Sequence, residues 1–238
     1  MTFDLTPEQI AVRDRARAFA ANQVAPAAAD IDASRAIPLA LMQAAADLAP
    51  ETAGEAVVAI EEVAAASAAL GVVMTLGATA AGSGDWPGLH GLRAGTATLD
   101  ARARAGLGAV AVGIGRAALE EAVSVLRAAG DRPTGAASER PHWVLADAAT
   151  EIDAARLLVA RAAQVGSEDG AEAAAAQVFA NGAAQRAVDA AIRVVGPSGY
   201  RQGSLLERLS RDARALALVF GTEEAQRAIA ADATLPPA

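Results

Sequence analysis

Residues 101–130, ARARAGLGAVAVGIGRAALEEAVSVLRAAG, contain no proline and are mostly Ala, Gly and Val. The run is too long for a strand and reads as one long helix. Gly106, Gly108, Gly113 and Gly115 fall inside it, and each costs about 1 kcal/mol relative to Ala in a helix interior. The compensation is close approach of a neighbouring helix, or a ligand lying on that face. A chain built around such a helix is driven toward a tightly packed helical assembly.

The rest of the composition agrees. Hydrophobic residues make up 53% but aromatics only 3%, so packing falls to Ala, Leu, Val and Ile. Ala is the strongest intrinsic helix former. The absence of Lys excludes a Schiff-base or P-loop lysine. The absence of Cys excludes disulfides, thiolate metal sites and Cys nucleophiles. Only His90 and His142 could supply imidazole, too few for most metal sites, and no EF-hand spacing occurs. A net charge of −8 without a basic run argues against nucleic acid as the main partner. The polar start MTFDLTPEQ lacks the features of a secretion signal, and the Ala/Gly-rich run 64–81 reads as a buried helix. The expectation is a soluble, cytoplasmic protein with no membrane partner.

Along the chain, Thr6-Pro7-Glu8 is a helix start, with Phe3 or Leu5 placed to staple back onto Ile10. Ile10, Val12, Ala16, Phe19, Ala20 and Val24 follow at helical spacing, and Pro26 marks a break before a resumption through 27–31. A second helix is expected over 39–48 and a long one over 55–76, with a break at Gly71. Glu61 and Glu62 point about 100° apart on that helix, so at most one is expected to face the interior. The Gly-rich segment 77–98 reads as loop, with no alternating strand pattern. After the long helix come a turn-rich connector at 130–140, helices over 141–164 and 171–195, and a Gly196-Pro197-Ser198-Gly199-Tyr200 turn. A short helix, a loop and a final helix then span 205–229.

Several of these segments, in this order, resemble acyl-CoA dehydrogenases. They are FDLTPEQIAVRDRARAFAANQVAPAAADID at the start, VVAIEEVAAASAALGVVM, the Gly113–Ala122 pattern G-x-x-x-A-L-x-x-A, LADAATEIDAARLL, and LERLSRDAR followed by Gly221-Thr222 and EEAQR. The resemblance implies an all-α fold: N-terminal helices over 1–76, a Gly-rich linker over 77–99, and a C-terminal four-helix bundle over 100–238. In that family a middle β-domain of on the order of a hundred residues covers the flavin and the acyl-CoA, a size ordinary for a domain. Only the linker stands in its place here, so that domain is expected to be absent.

The resemblance also implies where chemistry should sit. The family uses a Glu to take the α-proton of an acyl thioester while hydride leaves to flavin. One family position for that Glu, just before Gly-Thr, holds Phe220; the other falls at or next to Ala103, flanked by Arg102 and Arg104. No catalytic residue is therefore assigned. The cofactor FAD would be touched by Thr222, at a helix N-terminus, and by Arg193, which stands where the family's Gln-x-x-Gly-Gly turn has Gln. Arg132 is a weaker substitute for a family flavin contact. Thr222 is equally an ordinary helix cap. Arg208, Arg211, Asp212 and Arg214 are expected to form an architectural ion network, and His142 to cap or pack at a helix start.

Three functions are compatible with these residues. The first is a subunit without its own base that assembles with a full-length acyl-CoA dehydrogenase-like chain, sharing or borrowing FAD. The second is a self-sufficient flavin or non-redox enzyme reusing the acyl cavity, with Glu61, Glu62, Asp147 or Asp153 as interior acid–base candidates. The third is a non-catalytic homo-oligomeric acyl-binding or scaffold protein.

Overall fold

The computed structural model describes residues 4–77, 80, 89–90, 92, 99–128, 136–166, 170–219 and 221–235. Among them, helices make up the regular structure and no β-strand occurs. The fold is the all-α one expected, with no middle β-domain among the described residues.

Helix α1 (Pro7–Phe19) starts with a capping box: Gln9 N–H donates to Thr6 Oγ1 at 3.3 Å and Thr6 N–H donates to Gln9 Oε1 at 3.0 Å. Pro26 does not break the chain into two helices. A π-helical turn (Ala20–Val24) runs directly into α2 (Ala25–Ser34), with Ala25 N–H donating to Ala20 O. The wider turn takes up the place where proline cannot donate and its ring would crowd the preceding turn. Ile10 lies on the solvent side, 39% exposed, while Val12, Ala16 and Phe19 face the core. Phe3 is outside the described residues.

After α3 (Leu39–Ala46), Thr52 caps α4 (Ala53–Ala66), accepting from Glu55 N–H at 3.2 Å. The break expected at Gly71 lies at Ser67 instead. Ser67 is extended (φ −148, ψ 106), and its Oγ accepts from Leu70 N–H to open α5 (Ala68–Leu76). Gly71 serves the bend: a Cβ there would sit 2.8 Å from Ala64 Cβ.

The second half comprises α6 (Ala101–Ala128), α7 (Ala136–Val165), α8 (Ala171–Val195), a 3-10 turn (Pro197–Tyr200), α9 (Leu205–Val219) and α10 (Glu223–Thr234). Helix α6 is the central beam. A Cβ on Gly113 would lie 2.6 Å from Glu61 O of α4. One on Gly115 would lie 2.2 Å from Ile152 Cδ1 of α7 and 3.3 Å from Ala184 Cα of α8. The helical glycines are thus explained by helix contact on both sides. One continuous set of buried apolar residues joins both halves of the chain, with α6 and α8 the most extensively packed pair. Among the described residues, no helix is long and apolar enough to cross a membrane.

Candidate functional site

Helical spacing builds a cavity of about 460 Å³ between α4, α5 and α6. Ala53, Ala56, Val57 and Ile60 recur along one stripe of α4; Met74, Thr75 and Leu76 close it from α5; Arg102, Ala105 and Gly106 line it from the first turns of α6. No Asp or Glu is among its lining residues. Thr75 Oγ1 donates to Gly71 O at 2.9 Å, so its hydroxyl proton is engaged in its own helix. Arg102 is the one charged lining residue. Ala103, the alternative base position, lies off the cavity stripe and packs partly against the core. Its N–H donates to Asp100 Oδ1 at 2.7 Å. Phe220 and Arg132 are outside the described residues.

The two expected flavin contacts are not brought together in one chain. Thr222 is exposed and caps α10, accepting from Ala225 N–H at 3.3 Å. Gly221 (φ 95) turns the chain into that cap. Gln226, one turn on, accepts from Arg104 Nε at 2.8 Å, and the Arg104 guanidinium lies against Gly170 at the start of α8. Arg193 is exposed in the last turn of that same helix. At the usual helical rise, Gly170 and Arg193 stand about 35 Å apart, at opposite ends of α8. The first turn of α10 also carries Glu223 and Glu224, which oppose an approaching pyrophosphate. After Arg193, Pro197 supplies no backbone N–H.

Glu61 and Glu62 both turn inward, against expectation. Helix α4 is flanked by α1 on one side and α7 on the other, with α6 beneath, so side chains 100° apart each find a buried partner. Glu61 takes Arg156 of α7, with Arg156 Nε donating at 3.0 Å. Glu62 takes Arg17 of α1 at 2.8 Å. Arg116 of α6 sits between them, at 2.9 Å from Glu62 Oε2, and its Nε makes an ion pair rather than a hydrogen bond with Glu61 at 3.2 Å. Both carboxylates are therefore held as structural ions. Asp147 and Asp153 are exposed, with Asp153 paired to Arg156, and His142 is exposed inside α7 rather than at its start. Helix α7 begins at Ala136, so Pro141 lies inside its second turn rather than opening it.

The RDAR segment forms the ion network expected, with partners that sequence did not reveal. Arg211 grips Asp32 of α2 with two nitrogens, at 3.0 and 2.7 Å, and also takes Glu207 Oε1 at 2.7 Å. Burial alone would raise the Asp32 pKa, but Arg211, His90 and Arg208 together hold it below the usual carboxylate range. Asp212 is buried, and its Oδ1 accepts from Leu89 N–H at 2.7 Å. Burial pushes its pKa up to about 6, against the opposing effect of the Leu89 bond and of Arg208 and Arg211. His90 Nδ1 lies 2.8 Å from Asp32 O and 3.0 Å from Asp32 Oδ1. Arg214 meets Asp189 of α8 at 3.5 Å. A polar cleft of about 710 Å³ opens beside this cluster, between α2 and α9. Asp32 and His90 are 58 residues apart, and Leu89 and Asp212 are 123 apart, so no local motif announces either contact.

Comparison with known proteins extends this picture. Residues 6–84 match the family model for the acyl-CoA dehydrogenase N-terminal domain, and residues 90–235 match that for the acyl-CoA dehydrogenase C-terminal domain. An acyl-CoA dehydrogenase of Bacillus subtilis is 42% identical over 131 residues, covering 53% of this chain and 34% of the relative. A 3-sulfinopropanoyl-CoA desulfinase of Variovorax paradoxus is 38% identical over 128 residues, covering 52% of this chain and 32% of the relative. The match thus spans about a third of the length of these curated relatives. The butyryl-CoA dehydrogenase of Megasphaera elsdenii superposes with a TM-score of 0.83 at 17% identity, over 99% of this chain and 100% of that one. A glutaryl-coenzyme A dehydrogenase bound to glutaryl-CoA gives 0.82 at 16% identity, over 99% and 97%. At such identities the structural likeness speaks for the fold alone.

Proposed function

The chain belongs to the acyl-CoA dehydrogenase family, and on that premise we propose that it is a subunit without its own catalytic base, assembling with a full-length family partner. The observation that carries this reading is the cavity between α4, α5 and α6. It has the apolar lining suited to an acyl chain, yet no carboxylate among its lining residues. The partner would supply the base, the β-domain and the grip on FAD. The assembly would then carry out flavin-dependent α,β-dehydrogenation of an acyl-CoA thioester. The division into residues 1–76, 77–99 and 100–238 belongs to the same proposal.

Thr222 and Arg193 enter as contacts to a cofactor held elsewhere. Because they lie at opposite ends of α8, one FAD would meet them from two different chains. An assembly, mixed or of identical copies, is therefore part of the reading. The self-sufficient non-redox alternative is disfavoured by the ion pairs that occupy Glu61 and Glu62 and by the exposed positions of Asp147 and Asp153.

The test is purification with and without a co-expressed full-length family member, followed by native mass measurement and an absorption spectrum. The expected result is a colourless isolated chain and a yellow mixed assembly containing both chains. An isolated chain that takes up FAD and turns over an acyl-CoA sinks the proposal. So does a chain that captures no partner.

A further inference from the structure

Resting on the reading of the α4–α5–α6 cavity as an acyl-chain pocket, we infer that this cavity binds an unactivated aliphatic carboxylate, a free fatty acid. The tail lies along α4 and α5, and the head group sits on Arg102. Four observations lead there. Apart from Arg102 at the rim, the lining side chains are apolar except for Thr75, whose proton is already given to Gly71 O, so the cavity body offers an alkyl chain little to compete with. At about 460 Å³ the space falls within the ordinary ligand-pocket range of about 300–1,000 Å³. Arg102 is exposed, so its charge keeps its water until a ligand arrives, and no carboxylate among the described residues pairs with it. Finally, Arg102 is the second residue of α6, so its guanidinium stands at the rim where that helix begins, while the Asp100 carboxylate there is engaged in capping, accepting from Ala103 N–H at 2.7 Å.

The sign of the charge is what separates a free acid from a thioester. Proton abstraction from a thioester needs an acceptor beside the acyl chain. A fixed carboxylate there would repel a fatty acid, because two like charges at a dry site disfavour each other. Arg102 reverses this preference. A guanidinium offers paired N–H donors to the two oxygens of a carboxylate, a fork that a neutral thioester oxygen cannot fill. No bond is made or broken at this site, and the role is retention of the acid.

The experiment is calorimetric titration of the full chain at neutral pH with decanoate, decanol and decanoyl-CoA. It is carried out on the parent and on Arg102→Gln, Arg102→Lys and Ala56→Phe. Helical content and melting of each variant are recorded alongside. Expected is one decanoate per chain, weakened about tenfold or more in Arg102→Gln, as loss of a charge-assisted pair implies. Arg102→Lys should restore part of the affinity, and Ala56→Phe, which fills the tail space, should abolish it. Decanol should bind weakly and with the same affinity in parent and Arg102→Gln. Decanoate binding that is absent, or equal in parent and Arg102→Gln, overturns the inference. Binding of decanoyl-CoA with refusal of decanoate also overturns it, while the subunit proposal stands on partner capture. Decanoate binding that depends on Arg102, in a chain that captures no partner, upholds the inference and removes the subunit proposal.

Discussion

Of the places where the N-terminal helices meet the C-terminal bundle, two differ in kind. At the cavity between α4, α5 and α6, away from the Glu61–Glu62–Arg116 ion pairs, the joint is apolar and encloses space, with a single guanidinium at its rim. Between α2 and α9 it is ionic: Asp32, Glu207, Arg211, Asp212 and His90 engage one another and the Leu89 amide. The first could lose an acid–base group without disturbing the fold, because apolar packing holds it. The second could not lose the Arg211 charge so cheaply, because it satisfies Asp32 and Glu207, both partly removed from water. The RDAR segment is thus explained by assembly rather than by reaction. Substitutions at the ionic joint should move stability, and those at the apolar joint should move binding.

The largest break in that comparison should come from Arg211→Leu. It strands Asp32 and Glu207 together, and an unfolding free-energy loss of about 2–3 kcal/mol is expected by urea denaturation, moderated by partial exposure. No loss would mean that the α2–α9 joint is not ionic in substance. Asp212→Asn should act in the opposite direction. The Asp212 pKa rises on folding to about 6, so its contribution favours the native state below the unfolded pKa and is lost as pH rises to about 6. The Asn variant keeps an oxygen for Leu89 N–H and removes the charge. At pH 7 it should gain on the order of 2 kcal/mol. The fall in stability between about pH 4 and 6 that Asp212 causes should vanish from its melting profile. Asp32, whose pKa is lowered, works with the reverse sign and should be unchanged in that comparison.

Gly113→Ala probes the beam itself. Its new methyl would meet the Glu61 carbonyl oxygen and the Ala65 nitrogen, both backbone, so α4 must move. A loss of about 1–2 kcal/mol is expected in thermal unfolding. Gln177 is fully buried on α8 and neither of its amide atoms has a partner. Gln177→Leu should therefore stabilise the chain by about 1 kcal/mol. Arg102→Gln should change stability least, within about 0.5 kcal/mol, while changing ligand affinity. A large stability effect there would merge the two joints into one kind.

The sequence allowed the helices to be read because their signals are local. Thr6-Pro7, the Ala-rich periodic runs and the Gly/Pro punctuation each act within a few residues. The glycines of 106–115 indicated close helix approach, and α4, α7 and α8 supply it. The misplaced features depend on tertiary context. The break moved from Gly71 to Ser67 because a serine that caps the next helix outweighs a glycine that merely fits a bend. A lone helix offers Glu61 and Glu62 one inward face; the three helices flanking α4 give them two. Of the candidate site, the lack of a carboxylate at Ala103 was legible, whereas the turn of Arg102 toward the cavity was not. The separation of Thr222 from Arg193 was equally hidden, because it is a property of the length of α8 and of where α10 docks.

The π-helical turn at Ala20–Val24 has an angular consequence. Before it, the inward positions are Val12, Ala16 and Phe19; after it they are Val24, Ala28 and Ile31. Continuing the first rhythm would have turned Gln23, Ala27 and Asp30 inward, one residue earlier in each case. The turn therefore works as a phase slip of a single residue, about 100° of rotation. All of α2 takes its azimuth from it, including the carboxylate that Arg211 holds. Deleting one residue within that turn would leave a smoother helix, with Asp32 swung away from α9 and the ionic joint unmade.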